Sequence, residues 1–344
     1  MRAIEIIDTQ TVLEAQRKNK FRKYPTPESD RERLRPFAKP VSKGNFKISK
    51  HDKIFALGSC FARNIEQRLT EFGFDVLSDI RNNPVFENTP DAATLFNKYT
   101  IKSIQNELEC LLPDATRNIR DFYYQFGDKA GFDFQLGASK LGQSETDFLK
   151  FRQQYSNIFG KLSETDVVIL TLGYVELWYD TERQLYTNVS PPANFLKRHG
   201  ENFEFHVLSY EQIYAQLHET WQTLQKICRK DVKMLLTVSP VPLRSTLRDM
   251  DVLVANSYSK SVQRAAVERF CLETDNVDYF PSYEFVNLSE PSASFTARDY
   301  RHVTNEMVSI IMQHALSEYT DITLSAPKTE ANLPETLVKA RIHQ

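Results

Sequence analysis

Apolar positions along this chain fall into two periods, and the period changes at recognisable turn residues. Ile54-Phe55-Ala56-Leu57 is a continuous apolar run, the form of a strand buried on both faces; Gly58 breaks it, and Phe61, Ile65, Leu69 and Phe72 then recur at helical spacing until Gly73. The stretch predicts a strand, a tight turn and a helix. Phe74 to Leu77 alternates as a short second strand, and Arg81-Asn82-Asn83-Pro84 turns the chain. Helical spacing returns over residues 91–112. The aromatic text Phe122-Tyr123-Tyr124-Gln125-Phe126, with Gly127 and Gly131, predicts a hairpin over 121–134. An amphipathic helix over 145–162 leads into a second buried strand, 166–173. Residues 179–206, with Pro191, Pro192 and Gly200, lack strong periodicity and read as a lid or substrate-binding excursion, its His199 and His206 taken as solvated loop histidines. A helix over 210–227 follows, with Ile213, Leu217, Trp221 and Leu224 on one face. Then come a strand over 232–238, the stiff Ser239-Pro240-Val241-Pro242 turn, a helix over 252–273 and a strand over 277–280. After Asp299-Tyr300-Arg301-His302, Thr304 caps a last helix with Val308, Ile311 and Ala315 facing inward.

Strands alternating with helices predict the α/β class: a three-layer α/β/α sandwich around a central parallel sheet. With 344 residues, 41% of them hydrophobic, the chain can bury the core this needs. The pattern predicts one domain over 46–318, an N-terminal arm over 1–45 and a C-terminal surface tail over 319–344.

Charge changes the picture only at the N-terminus. The whole chain carries 43 basic and 45 acidic residues, a net of -2, which gives no general argument for nucleic acid or membrane surfaces. Residues 1–50 hold 13 basic and 6 acidic residues, a net of +7, leaving −9 for the rest. Phe21 and Tyr24, interleaved among Arg17, Lys18, Lys20, Arg22 and Lys23, have the form of a base-stacking patch. The proline spacing argues instead for a solvated arm that wraps the domain or contacts an anionic partner. The first residues mix Arg2, Glu5 and Asp8 among apolar ones, unlike a signal peptide, and no apolar run reaches membrane-spanning length. The four cysteines, Cys60, Cys110, Cys228 and Cys271, form no C-x-x-C pair, so neither a zinc site nor a disulfide framework is expected. A cytoplasmic location, no membrane insertion and no nucleic-acid partner are the expectations; the oligomeric state is open.

Candidate chemistry centres on Cys60, placed directly after a strand and at the start of a helix. In an open α/β sheet that is where ligands bind, and the first helical turn offers unpaired N–H groups that favour a thiolate. Gly58-Ser59-Cys60-Phe61-Ala62 is followed in order by Asn83-Pro84, Thr171-Leu172-Gly173 with Glu176 and Trp178, and Thr237-Val238-Ser239-Pro240-Val241. Tyr279-Phe280-Pro281-Ser282-Tyr283-Glu284 and Asp299-Tyr300-Arg301-His302 complete the series. Together they resemble the GSCFA family over roughly residues 50–315, a family similar to the SGNH (GDSL-type) esterases and acyltransferases.

The resemblance implies a flavodoxin-like SGNH-type sandwich, with Cys60 as nucleophile, His302 as general base and Asp299 orienting its imidazole. The alternative for Cys60 is a small apolar residue filling a turn. Ser59 stands where the superfamily carries aspartate; it is a rival nucleophile or, preferably, the N-cap of the helix. The oxyanion would be held near Gly173 by the Cys60 N–H and by Asn82 or Asn83, the latter read equally well as a turn residue. Glu176 replaces the asparagine donor of the superfamily's Gly-x-x-Asn block, and an ionised carboxylate only accepts. It is therefore protonated, orients a substrate hydroxyl, or simply pairs with an arginine. Ser239 and Tyr283 are expected at the substrate. The implied reaction moves an acyl group, such as acetyl, to or from a glycan hydroxyl, with no metal and with an acyl thioester such as acyl-coenzyme A as donor. The rival is an inactive module that binds coenzyme A or a glycan.

Overall fold

The computed structural model describes residues 3–321 apart from 27, 29–32, 82, 88, 90–91, 116, 127–129 and 137–143. Asn82, Gly127 and the expected tail beyond residue 321 therefore lie outside the described residues. Helix α1 (Thr9–Lys18) carries no buried residue. Strand β1 (Lys53–Gly58), helix α2 (Cys60–Glu71) and strand β2 (Asp75–Val76) follow, then helices α3 (Ala92–Leu95) and α4 (Ile101–Glu109). Strands β3 (Tyr123–Phe126) and β4 (Ala130–Asp133) form the antiparallel hairpin that the aromatic pattern predicts. Helix α5 (Glu145–Gly160) precedes β5 (Val167–Leu172), β6 (Glu176–Asp180), β7 (Leu185–Tyr186), α6 (Ala193–His199) and β8 (Phe203–Val207). The last third is α7 (Tyr210–Ile227), β9 (Lys233–Val238), α8 (Val252–Glu273), β10 (Val277–Tyr279), α9 (Ser282–Asn287), α10 (Pro291–Ser294) and α11 (Asn305–Tyr319). Among the described residues no helix is long and apolar enough to cross a membrane.

The central sheet has the order β10-β9-β5-β1-β2, with every neighbouring pair parallel. It is an α/β three-layer fold. Alternation along the strands divides the core: Ile54, Ala56, Val167, Ile169 and Leu235 face α2 and α11, and Phe55, Leu57, Val168, Leu170 and Leu236 face α5, α7 and α8. On the first face α2 buries Phe61, Ile65 and Leu69, each contributing about 1.5–3 kcal/mol, which fixes the helix register and with it the position of Cys60. The order of crossovers reverses between β1 and β5. Ligands of doubly wound sheets bind outside the strand ends at such a point.

Two sequence expectations need correction. The helix expected over 91–112 is two helices, because residues 96–100 run across the carboxyl ends of β1 and β5. There the Lys98 N–H donates to the Gly58 carbonyl (2.8 Å), the Tyr99 carbonyl accepts from Tyr174 N–H (2.7 Å), and Asn188 bonds Asn97 O and Tyr99 N with its side-chain amide (2.8 and 2.7 Å). Backbone groups that a helix would satisfy are satisfied by the sheet ends instead. Likewise the excursion over 179–206 is largely ordered, as an antiparallel β7-β6-β8 sheet with α6. Its strands are short and unevenly exposed, so alternation is weak.

Lys98 also carries a side chain that is fully buried. Its ammonium pairs with Glu107, which with Asp133 binds Arg152, and all four side chains are at most 3% exposed. Burial pushes the Glu107 carboxyl up, but Arg152 and Lys98 outweigh it and hold the group below its ordinary value. The quartet is neutral as a set, and it anchors the crossing segment from below.

Candidate active site

Gly58 and Gly173 make room for the site. Gly58 has φ +134°, and a Cβ there would lie 2.2 Å from the Thr171 carbonyl oxygen; a Cβ at Gly173 would lie 2.4 Å from the Tyr99 carbonyl oxygen. Only glycine lets β1, β5 and the crossing segment approach so closely. Beyond them opens a cleft of ≈ 640 Å³, lined by Cys60, Asn97, Tyr99, Tyr174, Glu176 and Trp178 together with Arg244, Arg301 and His302. That size suits a ligand on the scale of a sugar or a cofactor fragment. Trp178 of β6 and Phe205 of β8 pack edge-on at 5.2 Å to form one wall, and Tyr99 stacks on Tyr174 at 5.7 Å beneath it. Among the described residues no group of three or more His, Cys, Asp and Glu side chains is placed to hold a metal ion.

Cys60, the first residue of α2, is partly buried. Burial pushes its thiol up, while Arg301, Lys260 and the N–H groups of Cys60 and Phe61 pull it back down. The other three cysteines are pushed up to about 12. Burial therefore outweighs the activation expected from the helix start and leaves the thiol above its ordinary value, with two cations supplying part of the compensation.

His302 and Asp299 come from a loop closed by an isolated bridge between Phe295 and Val303. Tyr300 adopts φ 52°, which turns the Arg301 and His302 N–H groups onto Asp299 Oδ1 (3.0 and 3.1 Å), with Thr296 Oγ1 donating to the same atom (3.0 Å). Asp299 Oδ2 bonds His302 Nδ1. The His302 N–H first, then the Arg301 N–H and the imidazole, hold the Asp299 carboxyl well below the usual carboxylate range. With Nδ1 committed, Nε2 is the ring nitrogen left for proton transfer.

The remaining expected residues divide. Ser59 occupies the N-cap position but makes no cap bond; its buried hydroxyl donates to Ser239 Oγ at 2.9 Å, which corrects the capping assignment. Ser239 is itself 1% exposed beneath the turn, and Tyr283 lies on α9, so neither is among the residues lining the cleft. Asn83 is spent on its turn: its N–H donates to Ile80 O (2.9 Å) and its side chain accepts from Val85 N–H (3.0 Å). Glu176 does line the cleft. It is covered by the Thr246 hydroxyl, at 3.0 and 2.8 Å from its two oxygens, and makes no ion pair with an arginine among the described residues.

Several residues of the site were given no role by the sequence. Lys260 of α8 is fully buried and donates to the Gly173 carbonyl (3.0 Å), which also accepts from Gln263 (3.1 Å). Burial drops its ammonium to about 7, against a partial rise from Cys60. Tyr174, pushed up to about 12 by burial and then by Cys60, is opposed by Arg301. Asn97, 3% exposed, keeps Oδ1 without a partner, and Arg301 keeps Nε without one. The clues the sequence held were the place of Arg301 inside the Asp299-Tyr300-Arg301-His302 block and of Lys260 within the helix predicted over 252–273.

No curated protein matches this chain. The GSCFA family profile matches residues 53–314, which include Cys60, Glu176, Lys260 and the Asp299–His302 pair, and the chain belongs to the GSCFA family.

Proposed function

We propose that this protein is an acyl-transfer enzyme, an esterase or acyltransferase, acting on an O-acyl group such as acetyl of a glycan or related hydroxyl compound through a Cys60 acyl-enzyme. The observation that carries the reading is that Asp299 fixes His302 through Nδ1 while His302 and Cys60 line one cleft at the sheet's crossover point. An oriented imidazole and a nucleophile on separate elements sharing a cleft is the arrangement general-base catalysis requires.

In the first step His302 takes the Cys60 thiol proton, the Cys60 sulfur bonds the acyl carbon and the donor's ester or thioester bond breaks, the leaving group taking that proton from His302. In the second, His302 accepts a proton from water or a sugar hydroxyl. That oxygen bonds the acyl carbon, and the Cys60 sulfur departs and takes the proton back from His302. The aromatic wall of Trp178 and Phe205 suits the apolar face of a sugar ring. An acyl thioester such as acyl-coenzyme A is the donor that suits transfer, since thiol exchange is close to isoenergetic. No metal is required by this scheme.

The experiment is intact-mass analysis after incubation with activated esters and acyl thioesters, followed by single-turnover release to water and to candidate sugars. An adduct on Cys60 that disappears with either acceptor is expected. Ligand binding with no adduct at any pH would replace the reading with that of a binding module for coenzyme A or a glycan.

A further inference from the structure

Arg301 enters the Cys60 cleft with one polar atom unspent. Its Nη2 donates to the Pro242 carbonyl (3.1 Å), while Nε is shut off from solvent and has no hydrogen-bond partner. Folded proteins seldom leave a buried donor unpaired unless a ligand or water completes it. The guanidinium also acts on ionisable groups around it: it favours the thiolate of Cys60, opposes burial at Tyr99 and, through charge and a hydrogen bond, at Tyr174, and helps lower the Lys260 ammonium.

The side chains and turn expected to supply an oxyanion donor do not provide one. Asn83 has committed its N–H to Ile80, Glu176 is an acceptor already met by Thr246, and the unpartnered atom of Asn97 is an acceptor too. Of the two arginines that line the cleft, Arg244 and Arg301, it is Arg301 whose charge acts on Cys60 and whose Nε is unpartnered. We propose that Arg301 Nε–H receives the negatively charged oxygen of the substrate, making the space beside Cys60 an anion site. Calling that oxygen the acyl carbonyl rests on the acyl-transfer reading; the anion site itself rests on the unpaired Nε of Arg301. As sulfur bonds the acyl carbon, the C=O π pair moves onto oxygen, and Arg301 hydrogen-bonds that oxygen without giving up its proton. The pair returns when the leaving group departs. A cationic donor does here what a neutral amide does elsewhere, and it compensates for the carboxylate of Glu176 on the cleft wall.

The test uses two alkylating reagents of nearly equal shape, anionic iodoacetate and neutral iodoacetamide. Rates at Cys60 are read by peptide mass spectrometry in the full-length protein, and the ratio cancels the thiolate fraction common to both. The folded protein is expected to favour iodoacetate by about tenfold over the same chain unfolded in urea. Arg301→Met is expected to return the ratio to the unfolded value, and Arg301→Lys to keep part of it. An equal ratio in folded and unfolded wild-type chains overturns the site, even where Arg301→Met fails to fold; a preference that survives Arg301→Met overturns the residue assignment. With an acyl thioester, Arg301→Met is expected to slow Cys60 acylation about 10²–10³-fold. An iodoacetate preference in a wild-type protein that accepts no acyl group would support the anion site and refute the acyl-transfer reading alone.

Discussion

Ser59 Oγ donates to Ser239 Oγ across 2.9 Å, both side chains shut off from solvent, so the residue before Cys60 is tied to the end of β9 and not to its own helix. Ser239 in turn accepts from the Val241 N–H at 3.3 Å. The bond stitches the turn after β1 to the turn after β9. Ser59→Ala is expected to cost about 1 kcal/mol in denaturant unfolding, the worth of one neutral hydrogen bond, while Cys60 stays reactive. Complete loss of Cys60 acylation in a folded Ser59→Ala protein would move the nucleophile to Ser59.

Cys60 is expected to react with iodoacetamide faster than Cys110, Cys228 and Cys271, whose thiols burial pushes to about 12. His302→Ala should lower acyl turnover by about 10²–10⁴, the usual range for a general base. Equal labelling of the four cysteines in the native protein would contradict an activated site.

Glu176→Gln separates the roles open to this carboxylate. Glutamine still accepts from Thr246, so the fold should hold. A carboxylate that orients the acceptor hydroxyl predicts roughly tenfold slower transfer to sugar with unchanged acylation of Cys60, about the worth of one charged hydrogen bond. Faster acylation in Glu176→Gln would show that the site lacked a neutral donor at this position.

Lys260 gives a pH signature. Burial lowers its ammonium from 10.5 to about 7 in the folded protein, so between those values the unfolded chain holds a proton that the folded chain does not. Stability from this group therefore rises with pH through that window, and its penalty is complete below about 7. Lys260→Met should be more stable than wild type at pH 6, with the advantage shrinking toward pH 10, because Gln263 still bonds the Gly173 carbonyl. Melting temperatures across that range read it; an advantage that stays constant with pH would mean the lysine is charged throughout.

Arg152→Met should destabilise by about 3–5 kcal/mol, since it leaves Asp133 without its ion-pair partner and Glu107 with Lys98 alone in a dry core. The segment carrying Asn97 and Tyr99 should loosen with it, seen as faster backbone amide exchange at Lys98 and Tyr99. Unchanged exchange there would separate the charge quartet from the site.

Periodicity alone placed every strand of the central sheet and the long helices α2, α5, α7, α8 and α11, because each buries an apolar face whose repeat is local. Cys60 was marked as a candidate by its place at the end of a periodic run, where a sheet of this class exposes its strand ends, whereas Asp299 and His302 were singled out only through the resemblance to the GSCFA family. Tertiary structure alone decided how residues 96–100 are used, since the bonds that replace their helix come from Gly58, Tyr174 and Asn188, up to 91 positions away. It also decided that Ser59 faces Ser239, that Asn83 is absorbed by its turn, and that Lys260 and Arg301 bring their charge to Cys60. Hydrogen-bond partners and electrostatic neighbours are set by through-space distance after folding, and no local pattern of apolar and polar residues encodes them.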